Sequence, residues 1–187
     1  MNITNHTIPS QGKFLLADPF MSDPSFRRSV IFLTEYGPEG SVGFVLNRPT
    51  DFMFNDIVED FPEFPVKVYL GGPVEGGNLH FLHRVPELAD SYEVGRGIYW
   101  GGSLESLKML MASGKVTPAD IRFFIGYSGW APNQLDEELS QKNWIIAPAT
   151  RPHVFNDQPS SLWSSVLRSL GEEYAMLVHS PRHPSLN

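Results

Sequence analysis

Ser29-Val-Ile-Phe-Leu-Thr-Glu-Tyr36, Gly37-Pro-Glu-Gly40 and Ser41-Val-Gly-Phe-Val-Leu-Asn-Arg48 follow one another without interruption. The two outer runs are rich in β-branched and aromatic residues, which suit a pleated, half-buried surface. The Gly-Pro-Glu-Gly segment between them supplies turn geometry, so the stretch predicts a β-hairpin. Antiparallel pairing sets the start of one strand beside the end of the next. Arg28 and Ser29 should therefore neighbour Asn47 and Arg48.

Upstream of the hairpin, Gly12 to Ala17 reads as a further strand behind a polar leader, residues 1–11, expected to be flexible. Downstream, Phe54, Ile57, Val58 and Phe61 recur three or four apart, which predicts a short amphipathic helix over residues 52–61, ended by Pro62 and lying on the sheet. Val66 to Leu70 and Leu79 to His83 read as strands around a Gly71–Gly77 hairpin loop, and Gly97 to Trp100 as another strand. Ser103 is placed to cap a helix over Leu104 to Ala112, with Gly114 beyond its end. Thr117-Pro118 opens a helical turn. Ile121 to Ile125 is an apolar run of buried-strand type. Gly126-Tyr-Ser-Gly-Trp130 then reads as a tight turn into a helix with Pro132 near its first turn. Asn143 to Ala147 predicts a strand and Ser160 to Leu170 a helix. No linker or repeat divides the chain, so strands followed by alternating helices and strands predict one mixed α+β domain over residues 12–187.

The chain has 187 residues, no cysteine, and 14 Lys and Arg against 21 Asp and Glu, for a net charge of −7. Without cysteine there are no disulfides, thiolate nucleophiles or Cys-ligated zinc and iron–sulfur centres. No stretch approaches the ~18 apolar residues of a membrane span, so the expectation is a cytoplasmic protein with no membrane partner. Arg27-Arg28 is the single basic pair. That is too few cations for a multi-phosphate footprint, so duplex DNA is not an expected partner.

Three further segments are distinctive. The first runs Gly12-Lys-Phe-Leu-Leu-Ala-Asp-Pro-Phe-Met21, with Asp23-Pro24, Phe26, Arg28-Ser29-Val30 and the hairpin end Gly43-Phe-Val-Leu-Asn-Arg-Pro49. The second is Gly71-Gly-Pro-Val74, and the third is Gly126-Tyr-Ser-Gly-Trp130 with Gln134-Leu135 and Glu137. Together they resemble the YqgE/AlgH family of bacterial proteins over most of residues 12–155. The resemblance implies an α+β fold in which a bifurcated, mainly antiparallel sheet curls into a pseudo-barrel with flanking helices. It implies a cytosolic protein and brings no activity or catalytic residue with it, although some members carry the label of transcriptional regulator. The sequence departs from the family pattern at Asp18 and at Pro132-Asn133.

Several motifs bear on chemistry. Gly126–Trp130 has the strand-to-helix context of a nucleophile elbow at Ser128, but Trp130 replaces the last glycine and would crowd the packing that glycine permits. Gly95-Arg-Gly97 through Gly101 lacks the βαβ setting of a dinucleotide loop and reads as a strand with a bulge. Gly71–Gly77 has no following Lys-Ser/Thr pair. His80 and His83 point to opposite faces of a strand, and His179 and His183 lie in a polar tail, so no metal or cofactor is expected. Glu137-Glu138 and Glu172-Glu173 read as solvated faces.

What remains is a set of polar residues in apolar settings: Arg28, Ser29, Asn47, Arg48, Tyr127, Trp130 and Gln134. They read either as bracing for loop carbonyls or as a pocket for a small anion. The leading functional expectation is a non-enzymatic module that binds a small anion or a protein partner, with a regulatory role. An enzyme with its site near Arg28/Arg48 and Tyr127/Ser128 is the first alternative, and a transcriptional regulator the second. Convergence of those side chains in one cleft separates module from enzyme.

Overall fold

The computed structural model describes residues 8–180. In chain order the strands are β1 (Lys13–Ala17), β2 (Val30–Gly37), β3 (Gly40–Val45), β4 (Pro49–Met53), β5 (Lys67–Leu70), β6 (Val74–His83), β7 (Tyr92–Gly95), β8 (Ile98–Trp100), β9 (Ile121–Trp130) and β10 (Trp144–Pro148). The helices are α1 (Phe54–Ile57), α2 (Leu104–Ala112), α3 (Gln134–Ser140), α4 (Arg151–Val154), α5 (Pro159–Ser169) and α6 (Glu172–Leu177), with a 3₁₀ turn at Pro118–Asp120.

The fold is α+β with a mainly antiparallel sheet in the order β10-β1-β2-β3-β9-β6-β8-β7. β9 is the branch point. Its last residues pair with β3, Ser41 facing Trp130 and Gly43 facing Ser128. Its first residues run between β6, antiparallel, and β5, the one parallel neighbour. The sheet is thus bifurcated, and its hydrogen-bonded path does not close into a barrel.

Both faces of the first strands are buried, which explains their near-continuous apolar sequences. Phe14, Leu16, Val30, Phe32, Phe44 and Leu46 face the core beneath α5, while Leu15, Ala17, Ile31, Leu33 and Val45 face a second core that includes Leu135 of α3. A third core lies under α1 and α2, where Phe54 stacks on Phe123 at 4.2 Å between ring centroids. The helices follow local signals. Ser103 Oγ accepts the Ser106 N–H and caps α2, which buries Leu107 and Met111 one turn apart. Pro159 opens α5, which buries Leu162, Trp163, Val166 and Leu167.

Four local readings are corrected. The helix expected over residues 52–61 is a single turn, because Pro49–Met53 pairs with β5 as strand β4. Gly71–Gly77 is no hairpin loop: β5 and β6 flank β9 rather than each other, and Gly71-Gly72 crosses over it. Gly126–Trp130 is no turn, because β9 continues through it with a left-handed kink at Gly126, φ +67°. The single strand expected near Gly95 is a hairpin, with β7 and β8 joined at Arg96-Gly97, and the bulge expected in it is there as a register shift between Glu93 and Gly95. Of the expected leader, residues 1–7 lie outside the described residues, as does His183.

Candidate functional site

The strand crossing explains two of the distinctive motifs. Gly71 sits where β3, β5 and β9 meet: its carbonyl accepts the Val45 N–H at 2.9 Å and the Ser128 hydroxyl at 3.1 Å. A Cβ on Gly72 would stand 2.3 Å from the Tyr127 carbonyl, so only glycine lets the two chains pass. Ser128 is fully buried, with 0% of its surface exposed, and its hydroxyl is held by Gly71, so it presents no nucleophile to a substrate.

Arg28, Ser29, Asn47 and Arg48 come together at the base of the β2–β3 hairpin, as antiparallel pairing requires. Asn47 accepts the Val30 N–H with Oδ1 and donates Nδ2 to the Arg28 carbonyl at 2.9 Å. Arg48 donates to the carbonyls of Arg27 and Asn47, and burial holds its pKa below the ordinary value. Arg28 lies 4.8 Å from the Trp163 ring centroid and donates to the Ser180 carbonyl. Asp18 and Asp23 direct carboxylate oxygens to the N–H groups of Phe20 and Ser25. Among the described residues no carboxylate forms an ion pair with Arg48.

The remaining three residues lie elsewhere. Tyr127 packs on the α5 side of the sheet, edge-on to His80. Trp130 faces the opposite core, where Glu138 accepts the indole N–H groups of Trp130 and Trp144 on Oε2 and the Gln134 amide on Oε1. Glu138, expected on a solvated face, is a half-buried acceptor with three donors. The seven residues therefore do not share one cleft.

Among the described residues, two clefts bring together polar groups that the sequence does not join. One, of about 570 Å³, lies at the seam where the ends of the open sheet approach one another. The Gln11 side-chain amide donates to the Glu93 carbonyl across this seam, and a Cβ on Gly12 would stand 2.9 Å from the Val94 carbonyl oxygen. Lys13, Arg96 and Arg151 line it together with Ile98, Pro148 and Thr150, and no lining residue is acidic. The Arg151 guanidinium lies against the Arg96-Gly97 turn, 3.3 Å from where a Gly97 Cβ would be. Glu93 directs a carboxylate oxygen to the Gly97 N–H at the same turn. Among the described residues the one ion pair is Arg84–Asp120, so none of these three cations is in contact with a carboxylate there, and the Glu93 carboxylate stands at the adjoining turn.

The second cleft, of about 450 Å³, is lined by Lys67, Tyr69, Arg122, Phe155 and Asp157 among others. Arg122 was hidden inside the apolar run Ile121–Ile125. A charge interrupting a buried strand is the signal that marks it. Among the described residues no group of three His, Asp or Glu side chains is arranged to hold a metal ion, and no helix is long and apolar enough to cross a membrane.

With this geometry in place, similarity to known proteins defines the class. The AlgH-like family model matches residues 14–175. A UPF0301 protein of Chlorobium luteolum is 40% identical over 177 residues, covering 94% of each chain, and one of Cytophaga hutchinsonii is 40% identical over 180 residues, covering 95% of this chain and 99% of its own. The solution structure of the AlgH protein from Pseudomonas aeruginosa matches with a TM-score of 0.73 at 27% identity, over 96% of this chain and all of that one. A crystal structure of a Corynebacterium diphtheriae protein matches with a TM-score of 0.79 at 22% identity, over 95% of each chain. The chain belongs to the AlgH-like family.

Proposed function

We propose that the protein is a binding module for a small, multiply charged anion of the phosphate class, seated in the seam cleft. The observation that carries this reading is the meeting of Lys13, Arg96 and Arg151 in one concavity with no acidic lining residue, in a chain of net charge −7. Cations gathered in a cleft with no acidic lining residue repel one another, and a bound anion relieves that repulsion. Two guanidinium groups offer planar forks that match phosphate oxygens, with a lysine as point charge beside them. The volume lies within the ~300–1,000 Å³ of small-molecule sites.

The test is a melting series in inorganic phosphate, pyrophosphate and chloride at matched ionic strength. A ligand that binds the native state raises stability by mass action, ~2.7 kcal/mol at a hundredfold excess over Kd. Pyrophosphate should raise Tm in the wild type and not in the Arg96→Ala/Arg151→Ala double variant. Both side chains are exposed, so the variant's Tm without ligand should stay close to that of wild type. Equal rises in the two proteins, or none in the wild type, would rule the seam site out.

A further inference from the structure

The second cleft holds the one Arg or Lys that is buried among the described residues. Arg122 is only 6% exposed, yet among the described residues it forms no ion pair. Its Nη1 donates to the Leu46 carbonyl at 3.1 Å and its Nη2 to the Asn156 carbonyl, and its guanidinium lies 4.5 Å from the Tyr69 ring centroid. Carbonyl dipoles and a π face offset part of the cost of desolvating a full charge, whereas a carboxylate in contact would offset more. The fork keeps further N–H groups beyond the two in use, because a guanidinium carries five.

Lys67 and Asp157, both exposed, line the same cleft, and Pro65, Pro118, Ile121 and Phe155 supply apolar wall. Lys67 and Arg122 offer two cations to one anionic group, and Asp157 offers one carboxylate to a neighbouring donor. That favours a single carboxylate over phosphate, whose second negative charge Asp157 would repel. Asp157 accepts hydrogen bonds and repels a second negative charge, so it suits a ligand with an N–H or O–H donor near its anionic group.

We infer that this cleft binds a small α-amino or α-hydroxy acid with an apolar side chain, its carboxylate on Arg122 and Lys67 and its donor on Asp157. A volume of about 450 Å³ accommodates a molecule of that size. The site is separate from the seam cleft, with which it shares no lining residue.

Isothermal titration of the full chain with L-leucine, L-phenylalanine, their 2-hydroxy counterparts and 4-methylpentanoate tests the inference. At least one amino or hydroxy acid should bind, and which class binds more tightly identifies the donor as ammonium or hydroxyl. 4-Methylpentanoate lacks the donor and should bind about tenfold more weakly or worse. Lys67→Ala and Asp157→Asn, both at exposed positions, should each weaken binding by about tenfold. The Arg96→Ala/Arg151→Ala variant should bind as wild type does. No heat from any amino or hydroxy acid at 10 mM, a donor-free acid that binds equally well, or affinity untouched by both Lys67→Ala and Asp157→Asn would each overturn it.

Discussion

Substituting Gly126 by alanine tests whether the strand crossing organises the molecule. The residue has φ +67°, a left-handed conformation that costs an L side chain ~1–2 kcal/mol. Its added Cβ would stand 2.7 Å from the Val74 carbonyl oxygen and 2.8 Å from that of Gly72. Both obstacles are backbone and cannot rotate aside, so relief requires the crossing itself to shift, an overpacking cost of a further ~1–3 kcal/mol. The sum, roughly 2–5 kcal/mol, lowers Tm by about 5–15 °C in a domain of this length. Gly129 is the control. It is exposed, its φ is ordinary, and its Cβ would crowd only the Tyr127 ring edge at 3.1 Å, so Gly129→Ala should cost less than ~1 kcal/mol. Thermal melting followed by tryptophan fluorescence measures both. A Gly126→Ala protein that melts within about 2 °C of wild type, or a Gly129→Ala protein equally damaged, would refute the reasoning.

Two other outcomes follow from buried polar groups. Glu138→Ala strands the indole N–H groups of Trp130 and Trp144, each worth ~1–3 kcal/mol when left unmade; because Glu138 is half-buried and water reaches its place, we expect a total of roughly 2–4 kcal/mol, with Glu138→Gln costing less than half of that because its carbonyl still accepts. Melting of the two variants, with the tryptophan emission maximum as a second readout, checks the order, and a more damaging Gln variant would contradict it. Stability should also fall as pH drops from 7.5 to 5.5. Burial holds His80, His83 and His153 below the ordinary histidine pKa, so the unfolded chain takes up protons first: the contribution is fully present above about 6.5 and is lost as pH falls toward the folded-state pKa values. At His83 the Val85 N–H donates to Nδ1, leaving no room for a second proton there. Asp18, whose carboxyl is raised by burial, acts in the opposite sense at more acidic pH. A Tm that stays flat or rises across that interval, measured in a series of buffers at constant ionic strength, would refute the assignment.

Local chemistry was legible in the sequence and long-range placement was not. The hairpin register that joins Asn47 to Arg28 and Val30 follows from strand pairing over fewer than twenty residues. The α2 cap follows from Ser103; of the apolar face that Leu104, Leu107, Leu110 and Met111 predict, Leu107 and Met111 are buried and Leu104 is exposed. Gly71–Gly77 and Gly126–Trp130 read as turns because glycine is the usual sign of one, whereas here it marks a close approach of two chains. Nothing near Gly126 in the sequence says that Gly72 lies across it.

That crossing also decides where chemistry can sit. By passing Gly71-Gly72 over β9, the chain lays β5 parallel to the first half of β9, with Val68 opposite Phe123 and Tyr69 opposite Phe124. The Tyr69 ring is thereby set against Arg122, whose charge would otherwise lie in an apolar core, and Lys67 lines the same cleft. Because β9 then serves β3 at one end and β5 and β6 at the other, the sheet curls without closing. β7 then comes up against the residues that open β1, Gly12 lying beside Val94 and Gly95, with Arg151 against Gly97. Lys13, Arg96 and Arg151 are more than fifty positions apart from one another in the chain and carry no joint signal in the sequence. They become a constellation only through the curl. If the crossing does set the curl, pyrophosphate should stabilise Gly126→Ala less than it stabilises wild type, although no seam residue has been changed. Undiminished stabilisation in a destabilised Gly126→Ala protein would show that the seam holds its shape independently of the crossing.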